Sequence, residues 1–168
     1  MSAADPLKRT REWEVVLGRR LPLFGHRNWI VIADAAYPHQ SADGIVTIVA
    51  DGDLLTVTER VLALIAQAKH VKANVYTDRE LNFVDEHDAP GVDAFRRELA
   101  RLVQGAELKQ LPHEEIIAKL DRAARAFSIL IIKTTTLIPY TSVFFELDCG
   151  YWNAAAENRL RAAIATGL

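Results

Sequence analysis

The sequence predicts an α/β protein: a three-layer, doubly wound, mostly parallel sheet with helices on both faces. Two patterns predict it. Short runs rich in aliphatic and β-branched residues alternate with longer segments whose apolar residues recur at helical period. Several runs, among them Trp29–Ala33 and Ile129–Ile132, are continuously apolar, which marks strands covered on both faces. The chain has 168 residues, 50% hydrophobic and 25% charged, enough for one such domain and its core.

Residues Thr10 to Arg20 read as a first helix with Trp13, Val16 and Leu17 on one side, ended by Pro22 and Gly25. Trp29–Ala33 reads as the first strand. Asp34 closes it, and Ala35-Ala36-Tyr37-Pro38 follows as a loop. Ile45–Ala50 reads as a second strand and Asp51-Gly52-Asp53 as a turn. Thr56 and Glu59, at capping-box spacing, open a helix whose buried stripe is Val57, Val61, Leu64, Ile65 and Ala68. Val71–Thr77 is a strand, residues 85–91 an exposed loop, and Asp93–Val103 a helix carried by Phe95, Leu99 and Leu102.

Glu107–Leu111 reads as a short strand. Pro112 suits a first helical turn, where its missing N–H costs nothing. The helix His113–Ala126 turns Ile116, Ile117, Leu120, Ala123 and Ala124 inward. Ser128–Lys133 and Val143–Leu147 are strands on either side of the loop Thr134–Pro139, and Asn153–Ala165 is an Ala-rich final helix. The expectation is a single domain over 1–168, with helical extensions at 1–22 and 151–168.

Charge and composition exclude several classes. Twenty Lys+Arg against 22 Asp+Glu leave a formal charge of -2, so there is no basic footprint for nucleic acid. The apolar runs fall far short of the ~20 residues a helix needs to cross a bilayer. Met1 to Glu12 lacks the apolar stretch of a secretory signal. The expectations are no nucleic-acid partner, no membrane span and a cytoplasmic location. One cysteine, Cys149, excludes an intrachain disulfide and a Cys-based metal site. There is no Gly-x-Gly-x-x-Gly, no P-loop and no Gly-x-Ser-x-Gly elbow, and His113-Glu114-Glu115 lacks the second His of a helical zinc site. No cofactor and no metal are expected. The acidic run Asp85 to Asp88 reads as a solvated loop.

In a mostly parallel sheet, ligands bind beyond the carboxyl ends of the strands, where the strand order reverses. Asp34 occupies such an end. Tyr140 precedes the last strand and reaches the same edge if that strand runs antiparallel.

Three segments carry a resemblance. Gly25-His26-Arg27-Asn28, the strand Trp29–Ala33 and Asp34-Ala35-Ala36-Tyr37-Pro38 come first; Pro112-His113-Glu114-Glu115-Ile116 and Pro139-Tyr140-Thr141-Ser142-Val143-Phe144 follow in order. Together they resemble the D-ribose pyranase and L-fucose mutarotase family over Leu23 to Gly150. Asn28 stands where that family has the Asp of Gly-His-x-Asp, and Ser142 where it has the Asn of Tyr-x-Asn. The resemblance implies a cofactor-free sugar mutarotase that assembles as a homo-oligomeric ring, commonly a decamer. By position it places His26, Asp34, His113 and Tyr140 as catalytic residues, with Asn28 and Ser142 binding the monosaccharide.

The residue types suit that chemistry. Interconverting anomers or ring forms opens a hemiacetal: one group takes the anomeric hydroxyl proton while another protonates the ring oxygen. Histidine, with an ordinary pKa of ~6.5, serves in either direction at neutral pH. A carboxylate orients an imidazole or binds sugar hydroxyls, and a tyrosine donates a hydrogen bond. Each residue also has a purely structural role open to it. His26 can brace the start of its strand, Asp34 a turn, His113 a helix surface and Tyr140 a core. The alternatives to an isomerase are a non-catalytic carbohydrate- or small-metabolite-binding module of the same fold, or a structural ring protein.

Overall fold

Trp29–Ala33 forms β1, and every one of its five side chains is buried. A strand with no solvent face needs cover on both sides, and the rest of the chain supplies it. The computed structural model describes residues 6–167, with side chains from Glu12 onward. Residues 1–5 and 168, the outermost parts of the two expected extensions, lie outside the described residues.

In chain order, α1 (Pro6–Arg20) leads through a 3-10 turn (Leu21–Leu23) to β1. Then come β2 (Ile45–Val49), α2 (Leu54–Gln67), β3 (Val71–Asp78), a second 3-10 turn (Arg79–Phe83) and α3 (Val92–Leu102). β4 (Leu108–Leu111), α4 (His113–Ala123), β5 (Ile129–Lys133), β6 (Val143–Cys149) and α5 (Ala154–Thr166) complete it. The strands form one six-stranded sheet in the order β2-β5-β1-β6-β3-β4. β5 pairs parallel with β1 and β2, and β3 with β4, whereas β6 runs antiparallel to β1 and β3. From β1 the chain goes to β2 at one edge, then crosses to β3 and β4 at the other. The order therefore reverses about the β1–β6 centre.

Alternation along each strand sorts the side chains between two cores. Ile30 and Ile32 of β1, Leu130 and Ile132 of β5, and Phe145 and Leu147 of β6 face α1, α2 and α3 through Trp13, Leu17, Val57, Val61, Phe95 and Leu99. Trp29, Val31, Ile129, Ile131, Tyr76 and Phe144 face α4 through Ile116, Leu120 and Ala124. Full burial of Phe144 and Phe145 contributes about 1.5–3 kcal/mol each.

Several boundaries differ from the sequence expectation: α1 starts at Pro6 rather than Thr10, and α4 ends at Ala123 rather than Ala126. α2 starts at Leu54, not Thr56, because Asp53 is its N-cap: the Asp53 carboxylate accepts from the Thr56 N–H at 3.0 Å and from the Thr56 hydroxyl at 2.7 Å. The turn Arg79–Phe83 falls in a stretch with no expected element. The acidic loop also has a structural task. Glu86 accepts from the Gly91 N–H at 2.6 Å and the Asp93 N–H at 2.9 Å, which caps α3. Gly44 lets β2 pass the end of α4, since a Cβ there would lie 2.3 Å from the Ala124 carbonyl oxygen. α5 buries none of its residues against the rest of the chain. No helix among the described residues is long and apolar enough to cross a membrane.

Candidate functional site

Because five strands run one way and β6 the other, the carboxyl ends of β1 and β3 and the start of β6 meet at one edge. β1 delivers Asp34, β3 delivers Asp78, and the loop into β6 delivers Tyr140, Thr141 and Ser142. The first residue of α4, His113, arrives there from the other direction. Tyr76 and Asp78, two apart on β3, point to the face that α4 covers, so Asp78 meets the beginning of α4.

These residues enclose a cavity of about 380 Å³ lined by Asp34, Ala36, Tyr37, Pro38, Asp78, His113, Tyr140 and the loop 136–139. That is the size range of small-molecule sites. Ser142 Oγ donates to Asp34 Oδ2 at 2.9 Å, and the Asp34 N–H donates to Ser142 Oγ at 3.2 Å. Asp34 Oδ1 accepts from the Ala36 N–H at 3.0 Å. His113 Nδ1 lies 3.0 Å from Asp78 Oδ2. The backbone N–H of His113, unsatisfied at a helix start whose N-cap is Pro112, donates to both oxygens of Glu80 at 3.1 and 3.0 Å. The His113 and Tyr140 rings meet edge to face, centroids 5.8 Å apart. Tyr140 holds a left-handed backbone, φ 58°, a conformation that costs a non-glycine residue about 1–2 kcal/mol.

Electrostatics follow from the geometry. Burial, opposed by the His113 contact and reinforced by Glu80 and Asp34, pushes the Asp78 carboxyl up to about 6. Burial, with Asp121, Asp78 and Asp34 nearby, raises the Tyr37 hydroxyl and keeps it neutral; it donates to Gln40 at 3.1 Å. Among the described residues, the cavity lining carries carboxylates and an imidazole but no lysine or arginine.

Of the sequence-predicted residues, the structure brings Asp34, His113, Tyr140 and Ser142 together and leaves His26 and Asn28 apart. Those two precede β1, so a whole strand of five residues, about 17 Å, separates them from the cavity. Asn28 braces its own turn: Oδ1 accepts from the Gly25 N–H at 2.7 Å and Nδ2 donates to the Ser128 carbonyl at 3.1 Å. His26, its side chain 59% exposed, places Nδ1 2.8 Å from Asp148 Oδ1. Burial raises Asp148, but hydrogen bonds from the Cys149 N–H and His26, with Lys72 nearby, outweigh it and hold the carboxyl below its ordinary value. His26 lines a second, wider cavity of about 880 Å³ with Trp152 and Arg161 of the C-terminal segment. His70 is half-buried, with Nε2 3.1 Å from the carbonyl oxygens of Leu21 and Phe24.

Asp78, Glu80 and Tyr37 were not singled out by sequence. Asp78 carries the signal that found Asp34, an acidic residue at the carboxyl end of a buried strand. Glu80 and Tyr37 carry none, because their roles depend on contacts between distant segments.

The model of the RbsD / FucU transport protein family matches residues 16–149, well over half of the chain. The chain belongs to this family. Its fold is the family's: the structure of Bacillus subtilis RbsD complexed with D-ribose superposes with a TM-score of 0.55 at 22% identity, covering 82% of this chain and 93% of that one. The fucose mutarotase from Streptococcus pneumoniae, in complex with L-fucose, gives a TM-score of 0.52 at 20% identity, covering 79% and 91%. FucU from Bifidobacterium longum gives 0.52 at 15% identity, covering 80% and 94%. No curated sequence matches the chain significantly. α5 begins beyond the last residue that the RbsD / FucU model matches.

Proposed function

We propose that this chain is a monosaccharide mutarotase or pyranase-type isomerase that opens and recloses the sugar ring in the cavity at Asp34, His113 and Tyr140. The observation that carries this is the convergence of an imidazole, a carboxylate and a phenol from three separate elements on one cavity of sugar-binding size. Two family relatives are complexes with free sugars, D-ribose and L-fucose, which supports a neutral sugar as ligand. In the forward step His113 takes the anomeric hydroxyl proton. The oxygen's electron pair forms the carbonyl, the bond from the anomeric carbon to the ring oxygen breaks, and the ring oxygen takes a proton from Tyr140. Asp34, oriented by Ser142, binds sugar hydroxyls. Closure on the other face reverses each transfer, so no electrons leave the sugar and none are supplied.

His26 enters this site only from a second copy, which agrees with the ring assembly expected for the family fold. Asn28 then acts on the sugar through the turn that presents His26. The experiment is magnetisation-exchange NMR on a panel of aldoses. Acceleration of anomer exchange that His113→Ala removes supports the proposal; no acceleration with any sugar overturns it.

A non-catalytic sugar-binding module is the second reading. It is favoured by one observation: within a single chain the two histidines of the expected set lie at opposite ends of β1. It predicts calorimetric sugar binding without exchange.

A further inference from the structure

Asp78 is 1% exposed, and a carboxylate so deep costs free energy unless something offsets it. No structural task accounts for it. Asp78 precedes the turn Arg79–Phe83 but makes no capping hydrogen bond there. The N–H at the start of α4 is served by Glu80 instead. Oδ1 of Asp78 has no partner among the described residues. Its single side-chain contact is Oδ2 to His113 Nδ1 at 3.0 Å.

That contact has one chemical consequence. An ionised carboxylate only accepts hydrogen bonds, so Nδ1 of a neutral His113 must carry the proton, and Nε2 is left with its lone pair. Nε2 makes no hydrogen bond among the described residues, and the ring, 31% exposed, lines the cavity against the edge of Tyr140. We infer that Asp78 is the positioning residue of the site: it holds His113 as the Nδ1–H tautomer, so that Nε2 faces the ligand as a proton acceptor.

The groups packed around the pair agree with this. Asp34 from the end of β1 and Glu80 from the turn after β3 are carboxylates; Tyr37 and Tyr140 bring neutral hydroxyls. Among the described residues, no cation lines the cavity to compete for Asp78. When Nε2 takes a proton, the imidazolium forms beside carboxylates, which favour it. Asp78 itself need not change protonation. Burial lifts its carboxyl to about 6, which still leaves it ionised at pH 7 and above.

The role of Nε2 toward a sugar rests on the function proposed above, but the tautomer does not, and the test separates the two. In the full-length protein with ¹⁵N-labelled histidine, the His113 ring signals are assigned by their loss in His113→Asn. The neutral tautomer is read at a pH above which the ring's ¹⁵N shifts no longer change. The expected result is a protonated Nδ1 and a bare Nε2. Asp78→Asn offers an amide N–H to Nδ1 and moves the ring toward Nε2–H, while Asp78→Ala leaves a mixture. In anomer exchange, Asp78→Asn slows the maximal rate by about 10²-fold or more while sugar affinity stays within about threefold. A wild-type ring in the Nε2–H form, or a tautomer indifferent to both variants, overturns the assignment. If the tautomer follows Asp78 but no sugar exchanges, the positioning stands and the mutarotase proposal falls. If sugars exchange and the tautomer ignores Asp78, the positioning alone falls.

Discussion

Asp34 and Ser142 hold each other from both sides: the Ser142 hydroxyl donates to Asp34 Oδ2 at 2.9 Å while the Asp34 N–H donates to Ser142 Oγ at 3.2 Å. The pair ties the end of β1 to the start of its antiparallel neighbour β6, 108 residues away in sequence. It also aims the Asp34 carboxylate. Ser142→Ala removes both bonds and leaves the Asp34 N–H unserved. The expected outcome is about 1–2 kcal/mol of lost stability in urea unfolding, with roughly tenfold weaker sugar binding by calorimetry.

Among the described residues, His113 is the one imidazole in the cavity lining. His113→Ala should slow anomer exchange by about 10²–10⁴-fold. The α4 start keeps its cap, because Glu80 bonds the backbone N–H and not the ring. The ring's loss does leave buried Asp78 without its partner, so unfolding measured beside exchange rates should show the rate falling by orders of magnitude and about 1–3 kcal/mol of stability lost.

Among the described residues, the lining carries Asp34 and Asp78 with no lysine or arginine. A phosphate group would enter opposite fixed negative charge in a site partly shielded from water. Sugar phosphates and uronic acids are expected to bind at least about tenfold more weakly than the corresponding neutral sugars. Calorimetry on matched pairs at low salt checks this; equal affinity would mean that the ligand's charged end lies outside the cavity.

The raised Asp78 carboxyl has a stability signature. Its folded value of about 6 lies above the ordinary 3.8, so between those limits the folded state binds more protons than the unfolded one. The contribution is fully favourable below pH ~3.8 and is lost as pH rises through about 6. Asp78→Asn lacks this titration. Relative to wild type, the variant should gain on the order of 1–3 kcal/mol between pH 4 and pH 7. Chemical unfolding of both proteins across that range reads the difference, in which titrating groups remote from Asp78 cancel and its neighbours His113, Glu80 and Asp34 contribute through their coupling to it.

The sheet and its helices were legible because they rest on local periodicity. The length and β-branching of the unbroken run Trp29–Ala33 favour a strand covered on both faces, and the helical spacing of Val57, Val61 and Ile65 marks one face of a helix. Asp34 was legible as a strand-end residue, and the order His113 then Tyr140 followed from motif resemblance. The sequence reading opens α2 at Thr56 and puts Asp53 in a turn, whereas Asp53, three residues earlier, is the N-cap and Thr56 is its partner.

The sequence by itself determined the α/β class, the elements and the chemistry available at their ends. Which of those ends meet was decided by the tertiary structure. The antiparallel direction of β6 brings Tyr140 and Ser142 to Asp34, the end of β3 and the turn after it bring Asp78 and Glu80 to His113, and the length of β1 keeps His26 away. The physical reason is reach. Periodicity is written in neighbours three or four residues apart, whereas these contacts join residues 33 to 108 positions apart, and only the pairing and direction of whole strands select them.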